Sequence, residues 1–175
     1  MPKALKILIL LLATVTIGIY ASNIPQIKAK ITPPKNEVEI TKPQKPSAQI
    51  AQTDLQITKE GQVVKGQNSS LPTLYIPGDL KIEEGQKVED KNIIFAASVA
   101  GLVAKTDFHP ASIRLLSKDE IALYETDQTV AIFSSRKSPD QQVDSLQQVL
   151  AASKIEGTKL AKIDLRFDKP TVTFK

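Results

Sequence analysis

The sequence predicts an α+β domain with a mainly antiparallel sheet and two helices, set behind a single N-terminal transmembrane helix and a disordered tether. Three observations lead there: an uncharged apolar run from Ile7 to Ala21, a proline- and lysine-rich stretch after it, and short β-rich runs interrupted by two helical patterns from Asp54 onward. Strands grouped by nearby turns, with helices between the groups, mark an α+β arrangement. A domain of about 120 residues buries about two-thirds of its unfolded surface, enough for one independent core.

Residues 1–6 read as a short cytoplasmic tail carrying Lys3 and Lys6, and residues 7–24 as the anchor. The run from Ala4 to Ile24, with Lys6 snorkelling, spans about 31 Å, the thickness of a hydrocarbon core. Basic residues on the short side place the tail in the cytoplasm and everything after the anchor outside, a type II topology. Ile19-Tyr20-Ala21 puts a bulky residue where a signal peptidase reads a small one, which favours a retained anchor over a cleaved signal peptide. Residues 25–53 hold Pro25, Pro33, Pro34, Pro43 and Pro46 among scattered lysines, and no aromatic residue. Such a segment reads as an extended tether whose lysines are solvated or attracted to anionic lipid headgroups or an acidic wall polymer.

The folded unit is expected at residues 54–175. Leu55-Gln56-Ile57 and Val63-Val64 flank the turn Lys59-Glu60-Gly61, and Leu71 to Ile76 forms a further short run. Asp90 supplies an N-cap for a helix to about Lys105, with Ile93, Ile94, Ala97 and Leu102 on its apolar side. Ile113–Leu116, Ile121–Tyr124 and Val130–Phe133 predict an antiparallel meander. Ser138-Pro139-Asp140-Gln141 reads as a capping box with proline at the first helical position, opening a helix that Gly157 stops. Ile163, Leu165 and Phe167 alternate with Asp164 and Arg166, and a turn at Asp168-Lys169-Pro170 returns the chain along Val172 and Phe174 as a terminal strand pair.

The net charge of +4 is uneven: residues 1–53 carry +5 and residues 54–175 carry −1. A nearly neutral domain lacks the basic field that phosphate-backbone binding needs, so nucleic acid is set aside. Zero cysteines and the single His109 argue against disulfides, a cysteine nucleophile and clustered metal ligands, and no cofactor is expected. Asp107 lies two residues from His109 and has the chemistry to orient an imidazole, which keeps a small extracytoplasmic hydrolase in view. The more economical reading is a loop residue before Pro110, since no Gly-x-Ser-x-Gly elbow accompanies it. Glu83-Glu84 and Glu89-Asp90 read as solvated turns, and Asn68-Ser69-Ser70 as a chance sequon. What remains is a surface: a strand near Lys175 that lies at a sheet edge invites a strand from a partner, with Phe167 or Phe174 as anchors or as core residues.

The order of basic tail, anchor, tether, Thr58-Lys59-Glu60-Gly61-Gln62-Val63-Val64, Leu71-Pro72, the helix Gln141 to Leu150 and Lys162-Ile163-Asp164-Leu165-Arg166-Phe167 resembles the cell-division protein family FtsQ/DivIB. The resemblance covers residues 54–175. It implies a non-enzymatic, single-pass scaffold of the division septum whose β domain binds partners of the FtsB and FtsL type by strand addition. By motif, it implies contacts at Arg166 and Phe167 and a docking edge at Thr171, Val172, Thr173 and Phe174. One departure stands out: the family's membrane-proximal polypeptide-transport-associated domain has no counterpart in Ser22–Thr53, which is too short and too rich in proline. An anchored adaptor of a secretion or pilus apparatus shares the same topology and is the alternative.

Overall fold

The computed structural model describes residues 44–78 and 80–175; the expected tail 1–6, the anchor 7–24 and the tether up to residue 43 lie outside the described residues. The described chain is α+β, a nine-stranded mixed sheet with two helices. In chain order its elements are β1 (Pro46–Ile50), β2 (Leu55–Thr58), β3 (Val63–Lys65), β4 (Thr73–Tyr75), α1 (Lys91–Val103), β5 (Pro110–Ser117), β6 (Glu120–Glu125), β7 (Val130–Ser134), α2 (Pro139–Glu156), β8 (Leu160–Asp164) and β9 (Thr171–Phe174). Across the sheet they run β3-β2-β1-β4-β5-β6-β7-β8-β9. Neither helix among the described residues is long and apolar enough to cross a membrane.

One expectation needs correction. The segment 46–50, assigned to the tether, is strand β1, with Ala48 and Ile50 sealed in the core. Pro46 is compatible because it stands at the first position of the strand. The sheet is mainly antiparallel, as expected: β1–β2, β2–β3, β5–β6, β6–β7 and β8–β9 pair antiparallel, while β1–β4, β4–β5 and β7–β8 are parallel. Parallel neighbours need a long crossover, and α1 and α2 supply two of them, between β4 and β5 and between β7 and β8.

Register builds the core as a row. Ile50, Leu74, Ile113, Leu123, Ala131 and Ile163 stand opposite one another from β1 to β8, each at most 1% exposed. α1 packs over β1, β2, β5 and β6, and α2 over β7 and β8, so the helices cover this row. The next row, Tyr75, Arg114, Ala122, Ile132, Asp164 and Thr171, faces the other way because strand side chains alternate.

Local chemistry fixes the helices. Asp90 caps α1, its Oδ1 accepting from the N–H groups of Asn92 and Ile93 at 2.8 and 3.1 Å. Gly157 closes α2 at φ 68°, a left-handed conformation suited to glycine. The capping box at Ser138 is not formed: its side chain makes no cap hydrogen bond. Instead Gln142, one residue later than expected and 3% exposed, accepts from Ser134 N–H and donates to Ser134 O, both at 2.9 Å, tying the first turn of α2 to the end of β7.

Candidate functional site: the β9 edge

The buried row does not stop at Ile163. Val172 of β9 stands opposite it and is 38% exposed, and Phe174, opposite the buried Leu160, is 53% exposed. Both aromatics weighed as core or anchor are therefore on the surface, since Phe167 is 57% exposed in the β8–β9 turn. Thr171 and Thr173 fall on the opposite face beside Asp164 and Lys162. All four residues of β9 are exposed, and the strand is the last in the sheet.

Backbone direction follows from one hydrogen bond. Leu165 N–H donates to Ile132 O of β7 at 2.9 Å, so by alternation Asp164 and Lys162 turn their peptide groups toward β9. Their partners Thr171 and Thr173 face inward, as does Lys175, whose N–H donates to Lys159 O at 2.9 Å. Val172 and Phe174 consequently direct their N–H and C=O groups away from the sheet, and among the described residues no strand pairs there.

Arg166 behaves differently from a free contact residue. Its Nη2 and Nε donate to the two oxygens of Asp164 at 2.7 and 2.9 Å, and Nη1 donates to Glu120 Oε1 at 2.9 Å. Asp164 is 4% exposed, and this bidentate pairing holds its carboxyl below the ordinary range against the opposing effect of burial. The same two carboxylates push the guanidinium pKa upward. Arg166 thus locks the end of β8 to β6, and its guanidinium carbon lies 5.7 Å from the Phe167 ring centre. At the two ends of β9 the edge is pinned by ion pairs, Lys137 to Asp168 at 2.9 Å and Lys175 to Asp127 at 2.7 Å. These pairs lower both carboxyls, Asp127 to about 2 through the Lys175 hydrogen bond first and the Thr129 backbone second.

The catalytic candidates are not assembled. His109 N–H donates to Glu125 Oε1 at 2.8 Å, while Asp107 accepts from Gln147 Nε2 at 3.4 Å rather than from the imidazole. The spacing Ser134-x-x-Lys137 occurs in the chain, but Ser134 Oγ accepts from Arg136 N–H at 3.3 Å and Lys137 Nζ faces Asp168. Among the described residues no three His, Asp or Glu side chains converge as a metal-holding group. The sequence reading missed one exposed feature, the ladder Tyr75, Arg114 and Tyr124, in which the guanidinium carbon lies 5.2 and 5.7 Å from the two ring centres. Cross-strand neighbours on β4, β5 and β6 create it, and such pairing is invisible before register is known.

No protein-family model matches the chain, and no curated protein matches it.

Proposed function

We propose that this protein is a non-enzymatic scaffold of the bacterial division septum, of the FtsQ/DivIB kind, anchored in the cytoplasmic membrane through residues 7–24 with residues 54–175 in its extracytoplasmic domain. Partner division proteins of the FtsB and FtsL type add a strand along Thr171–Phe174. The observation that carries this reading is the bare β9 edge, where Val172 and Phe174 point their peptide groups outward and the apolar row ends half exposed. An added strand gains main-chain hydrogen bonds and extends that row with its alternate side chains. Covering what remains open of Val172 and Phe174 contributes about 1 kcal/mol each. Phe167 stands at the turn as a third anchor, and Arg166 serves the site by fixing the end of β8.

A photo-crosslinking residue at position 172 of the full-length chain, expressed in its own cells, tests this. The expected result is adducts with single-pass division proteins, and midcell localisation of a fluorescent fusion. Adducts with secretion or pilus components and a peripheral distribution support the adaptor alternative instead. Absence of protein adducts at 172 removes the edge from the function.

A further inference from the structure

A concavity of about 940 Å³ opens between the first half of α1, the β5–β6 hairpin and the start of α2. Its apolar lining includes Ile94, Phe95, Leu115, Leu116, Pro77 and Pro139, of which Phe95 is buried and Leu116 is 46% exposed. α1 carries no charge between Lys91 and Lys105 because most of the helix is buried; of its residues only Lys91 is exposed, and Ile94 and Ser98 are half-buried. Here Lys91, Ile94 and Ser98, three and four residues apart, form the ridge that borders the groove. Such a ridge is the surface into which a second helix packs.

The rim carries Lys59, Lys91, Lys118 and Arg136 against only two acids. Both acids are engaged, Asp90 as the cap of α1 and Asp119 in a pair with Arg136 Nε at 3.0 Å. Lys59 has a contact with Glu60 at 3.4 Å, but Lys91 and Lys118 have no carboxylate within ion-pair reach among the described residues. An apolar floor inside a net cationic rim is complementary to one kind of ligand. We propose that this groove docks an amphipathic helix of a partner protein, its apolar stripe on Ile94 and Leu116 and its acidic flank against Lys91 and Lys118. This surface is built from other residues than the β9 edge and does not depend on it.

The test uses the full-length chain in nanodiscs and a dye-labelled synthetic peptide of about 18 residues, long enough to form a helix alone. The peptide carries leucines at helical spacing flanked by glutamates, and a control peptide has every glutamate replaced by lysine. Fluorescence anisotropy should show binding of the acidic peptide only. Lys91→Glu with Lys118→Glu should weaken it by about tenfold or more, and the loss should shrink at high salt. Leu116→Glu should weaken it independently, and Val172→Pro should leave it unchanged. Circular dichroism identifies any variant that fails to fold, and Lys91→Ala with Lys118→Ala then replaces it. No binding, equal binding of the two peptides, indifference to the groove substitutions, or loss on Val172→Pro would each overturn the proposal. Lysine-dependent binding of phosphatidylglycerol vesicles in place of the peptide would also overturn it, making the rim a membrane-facing patch.

Discussion

The sheet ends in two edges, and the chain treats them differently. Along β3 the segment Gly85–Val88 folds back over the edge: Val63 N–H donates to Gln86 O at 2.9 Å, Gly85 N–H to Val63 O at 3.0 Å, and Gln62 bridges to Lys87. The strand is three residues long and ends in Lys65, a charged residue of the sort that blunts edges. Along β9 no described residue does the same, and the strand is Thr-Val-Thr-Phe, wholly β-branched or aromatic and without charge. An edge that the fold covers closes the sheet, whereas an edge with its apolar row unfinished is suited to receive another chain. Each prediction below either breaks this contrast or sharpens it.

The largest effect is expected from proline scanning of β9. Thr173→Pro removes an inward donor and should cost about 2–3 kcal/mol in denaturant unfolding of the full chain. Val172→Pro removes an outward donor and should stay within about 1 kcal/mol of the parent while abolishing partner capture. Equal destabilisation by both would mean that the outward and inward assignments are wrong.

Next comes Arg166→Ala, which leaves the nearly buried Asp164 without its bidentate partner and should cost about 2 kcal/mol. Partner binding should then fall only as far as folding does, and Arg166→Lys should restore part of the stability. A binding defect in a fully stable Arg166→Ala protein would return Arg166 to the contact surface.

A smaller change should follow at the covered edge. Gly85 has φ 79°, with open space where a Cβ would stand, so Gly85→Val costs backbone strain of about 1 kcal/mol and loosens the segment over β3. Faster amide exchange at Val63 and increased self-association would show that the cover matters.

The pH dependence is the subtlest. Asp164 has a depressed pKa in the folded chain, so its stabilising contribution is complete above about pH 4 and is lost as pH falls toward the depressed value. Asp164→Asn should therefore flatten the acid limb of a stability profile. Asp127 titrates at about 2, so the clamp from Lys175 should hold through pH 3 and release near pH 2, read from the Asp127 carboxyl resonance.

Much of this fold is legible in local signals. Asp90, Pro139 and Gly157 mark helix ends through rules that act within one turn, and the Lys59-Glu60-Gly61 turn announces β2–β3, with Gly61 at φ 84°. What escapes is long-range. The strand β1 is short and proline-led, and only its place between β2 and β4 makes Ala48 and Ile50 core residues. Two of the three parallel pairs depend on where α1 and α2 return the chain. Ser138 and Gln141 fit a capping box by spacing, yet Gln142 makes the closing contacts because the end of β7 is within its reach. At the candidate site the alternation around Ile163 foretold a terminal pair, but the engagement of Arg166 by Glu120, distant in sequence, was hidden until β6 and β8 were placed in one sheet.

The central claim is that the outer side of β9 is open in the free protein and filled by a partner strand. Residue-resolved amide hydrogen exchange on the full-length chain in nanodiscs, alone and co-purified with its membrane partners, measures this most directly. Alone, Val172 and Phe174 should exchange rapidly while Thr171 and Thr173 are protected; in the complex all four should be slow. Slow exchange at Val172 and Phe174 in the protein alone, or no change at either on complex formation, would contradict the account.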